Sequence, residues 1–189
     1  MTTTLSPDST IATKGVTLWL TGLPSAGKTT LALALADLIR LRGDRVQILD
    51  GDELRRNLSA DLGFDRASRD AQVRRVGYVA ELLARNWVVV LVPVIAPYAS
   101  ARDEVRAHHA AHGTPHLQVH LSTPLDICAE RDVKGLYAKA FRGELTGLTG
   151  VDDPYEVPAD PDLRLDTSAV DQDTAVRDLL DLLDERWTR

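Results

Sequence analysis

Gly22-Leu23-Pro24-Ser25-Ala26-Gly27-Lys28-Thr29 is the stretch on which the reading of this 189-residue chain turns. It fits the phosphate-binding pattern G-x-x-x-x-G-K-[ST]. An apolar run at 16–20 precedes it and an Ala/Leu-rich segment follows it, which is the strand–loop–helix context that the pattern requires. The glycines let the backbone turn tightly, so that successive N–H groups face phosphate oxygens. The helix opening near Thr29 adds the positive end of its dipole. Lys28 is expected to reach the terminal phosphates, and the Thr29 hydroxyl to ligate Mg²⁺. Thr30 continues the same loop.

Working outward, β-branched and apolar runs alternate with helical patterns. Strands are expected at 16–20, 46–50, 88–94, 117–121 and Leu163–Leu165. Helices are expected at 29–42, from about 52, at 69–86, 101–112, 124–131, 134–143 and 173–187. The run at 88–94 is continuously apolar, as in a strand covered on both faces. With the phosphate loop, this alternation predicts an α/β fold, a P-loop NTPase-type three-layer sandwich with a mainly parallel sheet. Its ligand crevice should lie beyond the carboxyl ends of the strands. Residues 1–14 are Thr/Ser-rich without periodicity and read as a flexible tail, with residues 15–189 as one domain.

Bulk composition narrows the function. Apolar residues make up 44% and charged residues 26%, which is ordinary for a globular chain. A net charge of −6 argues against a general nucleic-acid binder, so basic groups that meet anions must be concentrated locally. The single cysteine, Cys128, permits no internal disulfide and fits a reducing compartment. The N-terminus carries no signal-peptide pattern, and the longest apolar run, 87–97, is too short to span a bilayer. The expected localisation is cytoplasmic, with no membrane partner.

Asp50-Gly51-Asp52 ends the second strand beside the expected phosphate loop, while the third strand leads into Ile95-Ala96-Pro97 without an acid. Asp50 and Asp52 are therefore the candidate carboxylates for Mg²⁺, and either could accept a proton from an attacking hydroxyl. The competing reading is a turn with Asp52 as a helix N-cap. Arg55, Arg56, Arg66, Arg69, Arg74 and Arg75 follow closely. Guanidinium groups suit phosphate or sulfate oxygens, though a solvated face would account for about half of them. Arg69 is expected at a helix start, where structural reasons for a cation are poor. Phe64 lies in a polar loop and is open between a core plug and a platform for a base.

Taken together these motifs resemble those of the adenylylsulfate (APS) kinase family over 17–167. The resembling stretches are 22–30, LDGDELR at 49–55, DLGF at 61–64, RRVG at 74–77, PVIAPY at 93–98, RDVKGLY at 131–137 and TGVDDPYE at 149–156. That family transfers the γ-phosphoryl of ATP to the 3′-hydroxyl of adenosine 5′-phosphosulfate, giving PAPS and ADP. The resemblance implies a P-loop kinase domain with ATP and Mg²⁺, and Asp52 and Lys28 as catalytic residues. It places Arg131 with the loop residues at the nucleotide. It implies acceptor contacts from Asp52, Arg55, Phe64 (stacked on adenine), Arg69, Gln72, Ile95, Ala96, Lys134 and Leu148. A lid is implied at about 131–150, along with a homodimer, a role in sulfate assimilation and ATP sulfurylase as a pathway partner.

The chain also departs from the family. Pro24 removes one loop N–H. Ala96 stands where the family has serine, which excludes a phosphoserine there and leaves direct transfer. Gln72 replaces an asparagine, Ser68 an aspartate, and Leu148 a second aromatic face for the adenine. These four acceptor-side changes motivate the alternative of a P-loop kinase acting on another small-molecule or nucleotide hydroxyl. A non-catalytic nucleotide-binding regulatory protein is the alternative of another class.

His108, His109, His112 and His116 cluster on one helix and its end. His108 and His112 are spaced to share a face. With no cysteine nearby, and Glu104 the only close acid on that face, a solvated helix is the expected reading. Cys128, between Ile127 and Ala129, reads as packed.

Overall fold

The computed structural model describes residues 15–187, so the expected tail at 1–14 lies outside the described residues. Five strands form one sheet: β1 (Val16–Gly22), β2 (Val46–Ile48), β3 (Val89–Pro93), β4 (His116–Leu121) and β5 (Leu163–Leu165). Their order is β2-β3-β1-β4-β5, and every pairing is parallel. The helices are α1 (Lys28–Leu41), α2 (Gly51–Asn57), α3 (Arg66–Arg85), α4 (Ala99–Ala111), α5 (Leu125–Arg131), α6 (Leu136–Phe141) and α7 (Gln172–Arg186).

Alternation along the strands divides the core between the two faces of the sheet. Val16, Leu18 and Leu20 of β1 join Leu91, Val119 and Leu121, and pack under Leu31 and Leu35 of α1 and Leu179 and Leu183 of α7. On the opposite face Trp19, Val90 and Val92 pack under Val73, Val76 and Ala80 of α3 and Ala101 and Val105 of α4. All seven residues of β1 are buried, because the strand is central and covered on both faces. The two helical layers and the sheet form the expected three-layer α/β sandwich.

The boundaries that differ from expectation are set by caps. α3 begins at Arg66, three residues earlier than the sequence suggests, because its apolar periodicity starts only at Val73. Asp65 accepts the Ser68 N–H at 3.0 Å and the Ser68 hydroxyl at 2.7 Å. α4 begins at Ala99, capped at 2.7 Å by the carboxylate of Glu156, a residue remote in sequence. β2 stops at Ile48 because Asp50 leaves the sheet to cap α2.

α3 and α4 approach closely at Gly77, where a Cβ would stand 2.4 Å from Val105 Cγ2 and 2.8 Å from Cγ1. Alanine in place of glycine in a helix is normally favourable by about 1 kcal/mol. Here Gly77→Ala should destabilise the protein by about 1–3 kcal/mol through overpacking. Adding Val105→Ala should recover part of that loss. Urea unfolding midpoints of the single and double variants check both expectations.

Candidate active site

The phosphate loop leaves β1 at Gly22 and enters α1 through Gly27. Gly27 holds φ 94°, ψ 4°, the left-handed conformation that glycine adopts without a Cβ penalty. Lys28 is thus the first helical residue, and its ammonium folds back into its own loop. It donates to the Gly22 carbonyl at 3.0 Å and the Leu23 carbonyl at 2.6 Å. The side chain is buried, and that burial pulls its pKa down from 10.5 to about 8; Cys128, Asp52 and Asp50 act the other way, and Lys134 adds to the lowering. Two more of the loop's carbonyls are held from outside. Tyr137 of α6 donates to Pro24 at 3.0 Å, and Thr167 donates to Ala26 at 3.1 Å.

Thr29 and Asp50 meet, the hydroxyl donating to Oδ2 at 3.1 Å. Asp50 Oδ1 accepts the Asp52 and Glu53 N–H groups at 3.0 and 3.3 Å. The cap of α2 is therefore Asp50 and not Asp52, which corrects the competing reading of this pair. Asp52 instead points across the crevice, where its carboxylate is ion-paired with Lys134. Thr29, Asp50 and Asp52 offer only oxygen donors on one wall, a set that suits Mg²⁺.

Lys28, Thr29, Asp50, Asp52, Lys134 and Thr167 line one crevice of about 1250 Å³ at the carboxyl ends of the strands. Pro24, Ser25, Gly27, Thr29 and Thr30 stand at one end, with Arg131. Arg131 donates to the Thr167 hydroxyl at 2.7 Å and its carbonyl at 2.9 Å. Arg55, Phe64, Arg69, Gln72, Ile95, Ala96 and Leu148 line the same crevice, as do Asp52 and Lys134.

Phe64 is 69% exposed, so it is not a core plug, and its ring lines the crevice. Arg55 lies over its ring, 4.5 Å from the centroid, and is steadied by the Gly63 carbonyl at 2.8 Å. Gln72 is 7% exposed, yet neither end of its amide has a hydrogen-bond partner. A buried amide left unpaired costs stability, so one that lines a crevice is a candidate contact for a ligand there.

Arg69 corrects the reading that a cation there lacks structural cause. It sits inside α3 and donates to the Phe64 carbonyl at 2.6 Å, the Gly147 carbonyl at 2.5 Å and the Thr149 hydroxyl at 2.5 Å. It ties the 147–149 turn to α3 and so places Leu148 on the crevice wall. Ala96 is buried at φ 44°, a strained left-handed conformation for a residue with a side chain. Its carbonyl accepts from buried Arg102 at 2.6 Å, and the Ile95 carbonyl accepts from Thr21 at 2.5 Å.

Several residues escaped the sequence reading. Thr167 and Val170 line the crevice beside Arg131, and Asp152 holds the Gly147 and Leu148 N–H groups at 2.7 Å each. Asp153 accepts from Tyr98 at 2.9 Å. The acidic pair lay in a quoted motif, but its partners are distant in sequence and gave no local signal.

With this geometry in view, the chain can be set beside known proteins. The sequence model of the adenylylsulphate kinase family matches residues 14–166. The adenylyl-sulfate kinase of Chloroflexus aurantiacus is 52% identical over 162 residues, covering 84% of each chain. That of Deinococcus deserti is 48% identical over 184 residues, covering 97% of this chain and 98% of its own. Among solved structures, the Mycobacterium tuberculosis APS kinase CysC in complex with AMPPNP and APS superposes with a TM-score of 0.88. It is 44% identical, and the match covers 90% of this chain and 98% of that one.

The buried lysine has a pH signature. Between pH 8 and 10.5 the unfolded chain holds a proton on Lys28 that the folded chain has released, so folding stability contributed by this group rises with pH in that window. Lys28→Met lacks the effect. The unliganded wild type should gain on that variant by up to about 1.4 kcal/mol per pH unit across the window. Urea unfolding of both proteins at pH 7, 8, 9 and 10 measures the difference.

Proposed function

The chain belongs to the adenylylsulphate kinase family and is a kinase, and we propose that it transfers the γ-phosphoryl of ATP directly to the 3′-hydroxyl of adenosine 5′-phosphosulfate, giving PAPS and ADP. One observation carries the reading. A single crevice joins a phosphate loop ending in Lys28 and Thr29 to a wall holding Asp52, Arg55, Phe64 and Gln72. Donor and acceptor can therefore meet with Asp52 between them.

In the proposed reaction the loop N–H groups, Lys28 and Arg131 hold the ATP phosphates. Thr29, Asp50 and Asp52 would hold Mg²⁺, which when bound neutralises charge developing on the phosphate oxygens. Phe64 carries the acceptor adenine, with Leu148 as an apolar second wall. Arg55 and Arg69 face the phosphosulfate. Gln72 and the backbone of Ile95 and Ala96 complete its polar contacts. Asp52 accepts the 3′-hydroxyl proton as the oxygen–phosphorus bond forms and the bond to the ADP oxygen breaks. Ala96 has no hydroxyl, so the phosphoryl passes in one step, without a phosphoenzyme at that position.

The segment at about 131–150 acts as a lid in this scheme. Lys134 leaves Asp52 for the phosphates when both nucleotides are in place, and closure keeps water from the γ-phosphoryl. The reaction needs ATP and fits the cytoplasm; among the described residues no helix is long and apolar enough to cross a membrane. We further assign the protein a homodimeric state and a place in sulfate assimilation after ATP sulfurylase, the enzyme that makes APS.

The deciding experiment mixes purified protein, Mg²⁺-ATP and APS and identifies the product by mass. PAPS formed at about 1–100 s⁻¹, the usual range for kinases, supports the reading. Turnover of another hydroxyl acceptor with none on APS would replace it, and ATP binding without any transfer would point to a regulatory protein.

Asp52→Ala should lose about 10²–10⁴-fold in kcat while keeping ATP affinity, measured by single-turnover kinetics and calorimetry. Phe64→Ala should raise the KM for APS by about tenfold or more, since stacking on an aromatic is worth about 1–3 kcal/mol per base, with the KM for ATP unchanged. Steady-state kinetics with each substrate varied in turn separates the two.

A further inference from the structure

Of the histidines of α4, His112 is exposed as expected, His108 is half-buried and His109 lies inside. His109 is fully buried, with its ring nitrogens 2.9 Å from the Val105 carbonyl and 3.0 Å from the Thr17 hydroxyl. His108 and His112 turn instead toward α3, where they meet an acid that spacing along α4 could not reveal. Glu81 is fully buried between the two helices.

We propose that Glu81, His108 and His112 form a transition-metal site, with Zn²⁺ the ion of choice, that ties α3 to α4. Among the described residues this is the one group of three such side chains whose ligand atoms all lie within 4.8 Å of one another. None of the three lines the crevice, so the site is separate from phosphate and Mg²⁺ chemistry.

Each ligand is prepared by a neighbour. Glu81 Oε1 accepts the Thr114 hydroxyl at 3.0 Å and lies 3.5 Å from Arg85 Nε. Its other oxygen, Oε2, is shielded from solvent and has no hydrogen-bond partner. That oxygen faces His108 Nε2 at 3.8 Å, which is likewise shielded and without a hydrogen-bond partner. His112 Nδ1 is 2.8 Å from the His108 carbonyl. A carbonyl only accepts, so Nδ1 carries the proton and Nε2 keeps its lone pair. A hydrogen bond from the other ring nitrogen to a carbonyl is what commonly fixes the orientation of a metal-binding imidazole. Two unpaired polar atoms buried face to face cost stability that a shared cation would recover.

The ligand set selects the metal. Two imidazoles and a carboxylate suit Zn²⁺, with water as a fourth ligand, whereas Mg²⁺ prefers oxygen alone. Donors around Zn²⁺ at about 2.0–2.2 Å stand roughly 3–3.5 Å apart, so Glu81 and His108 need little movement. His112 is the exposed member of the group, and a turn of its ring would bring its nitrogen to the same distance.

The test uses the full-length protein, stripped with a chelator and titrated with Zn²⁺ in excess Mg²⁺ by calorimetry. One equivalent should bind with Kd below about 1 μM, and at about 100-fold over Kd the Tm should rise by roughly 5–10 °C. Co²⁺ in place of Zn²⁺ should give visible absorption bands of a four- or five-coordinate nitrogen and oxygen site. Glu81→Gln and His112→Gln should each weaken Zn²⁺ binding at least about tenfold and remove the Tm shift. Should Glu81→Gln fail to fold, the exposed His112→Gln carries the test alone. Absence of stoichiometric Zn²⁺ binding overturns the proposal, as does binding that His112→Gln leaves unchanged.

Discussion

A cation held almost out of water at the tip of the central strand is the constraint around which the rest of the site is arranged. Lys28 is 8% exposed, and its ammonium is held by the carbonyls of Gly22 and Leu23. Burying an ammonium costs several kcal/mol unless it is hydrogen-bonded, so the loop must present those carbonyls in a fixed shape. The left-handed turn at Gly27 sets that shape from within. Tyr137 and Thr167 fix it from outside by taking the Pro24 and Ala26 carbonyls. The result is a charge that a phosphate can claim with little rearrangement: an anion entering the loop replaces weak carbonyl partners with a full opposite charge. Burial is what pulls the pKa of the unliganded lysine down to about 8.

The acceptor wall obeys a different logic. It is assembled from segments far apart in sequence, and Arg69 joins them. By binding the Phe64 carbonyl, the Gly147 carbonyl and Thr149 together, this one side chain ties the loop that carries the Phe64 ring to the turn that carries Leu148. Asp153 stands 3.7 Å away and balances its charge, while also accepting from Tyr98 beyond the end of β3. A guanidinium whose donors already serve the protein has less capacity for a ligand than Arg55, which is anchored chiefly through one carbonyl and spreads over an exposed ring. Arg69 therefore serves the pocket first as its frame, and Arg55 keeps more of its donors open to the crevice.

This contrast explains what the sequence could disclose. Strands and helices were legible because their signals are local: the β-branched run at 88–94 and the apolar spacing from Val73 each lie within one element. The phosphate loop was legible because its chemistry is contiguous. Features made by distant partners were not. The start of α4 depends on Glu156, the structural work of Arg69 on Gly147 and Thr149, and the partner of the α4 histidines on Glu81. Phe64 stayed open between core and platform because exposure is a tertiary property. Asp50 and Asp52 were named as a pair, but two equivalent-looking carboxylates separated by one glycine carry no mark of which caps the helix. The fold decides it, because Asp50 is the last residue before α2 and its side chain alone can reach back to the first-turn N–H groups.

That division of labour leaves Asp52 free of local duties, and its partner in this state comes from the 131–150 segment. Lys134 reaches across the crevice to the carboxylate from the turn between α5 and α6. Both side chains are more than half exposed, so the contact is of the weak, screened kind, worth about 0–1 kcal/mol. A strong pair would fail on two counts. It would hold the segment across the crevice and obstruct substrates, and it would occupy the carboxylate proposed to take a proton. A weak one positions the lysine over the site yet yields to a triphosphate, whose larger charge attracts the ammonium more strongly. In the proposed scheme the same cation then leaves Asp52 for the phosphates, so closure over both nucleotides frees the carboxylate at the moment an acceptor hydroxyl has use for it.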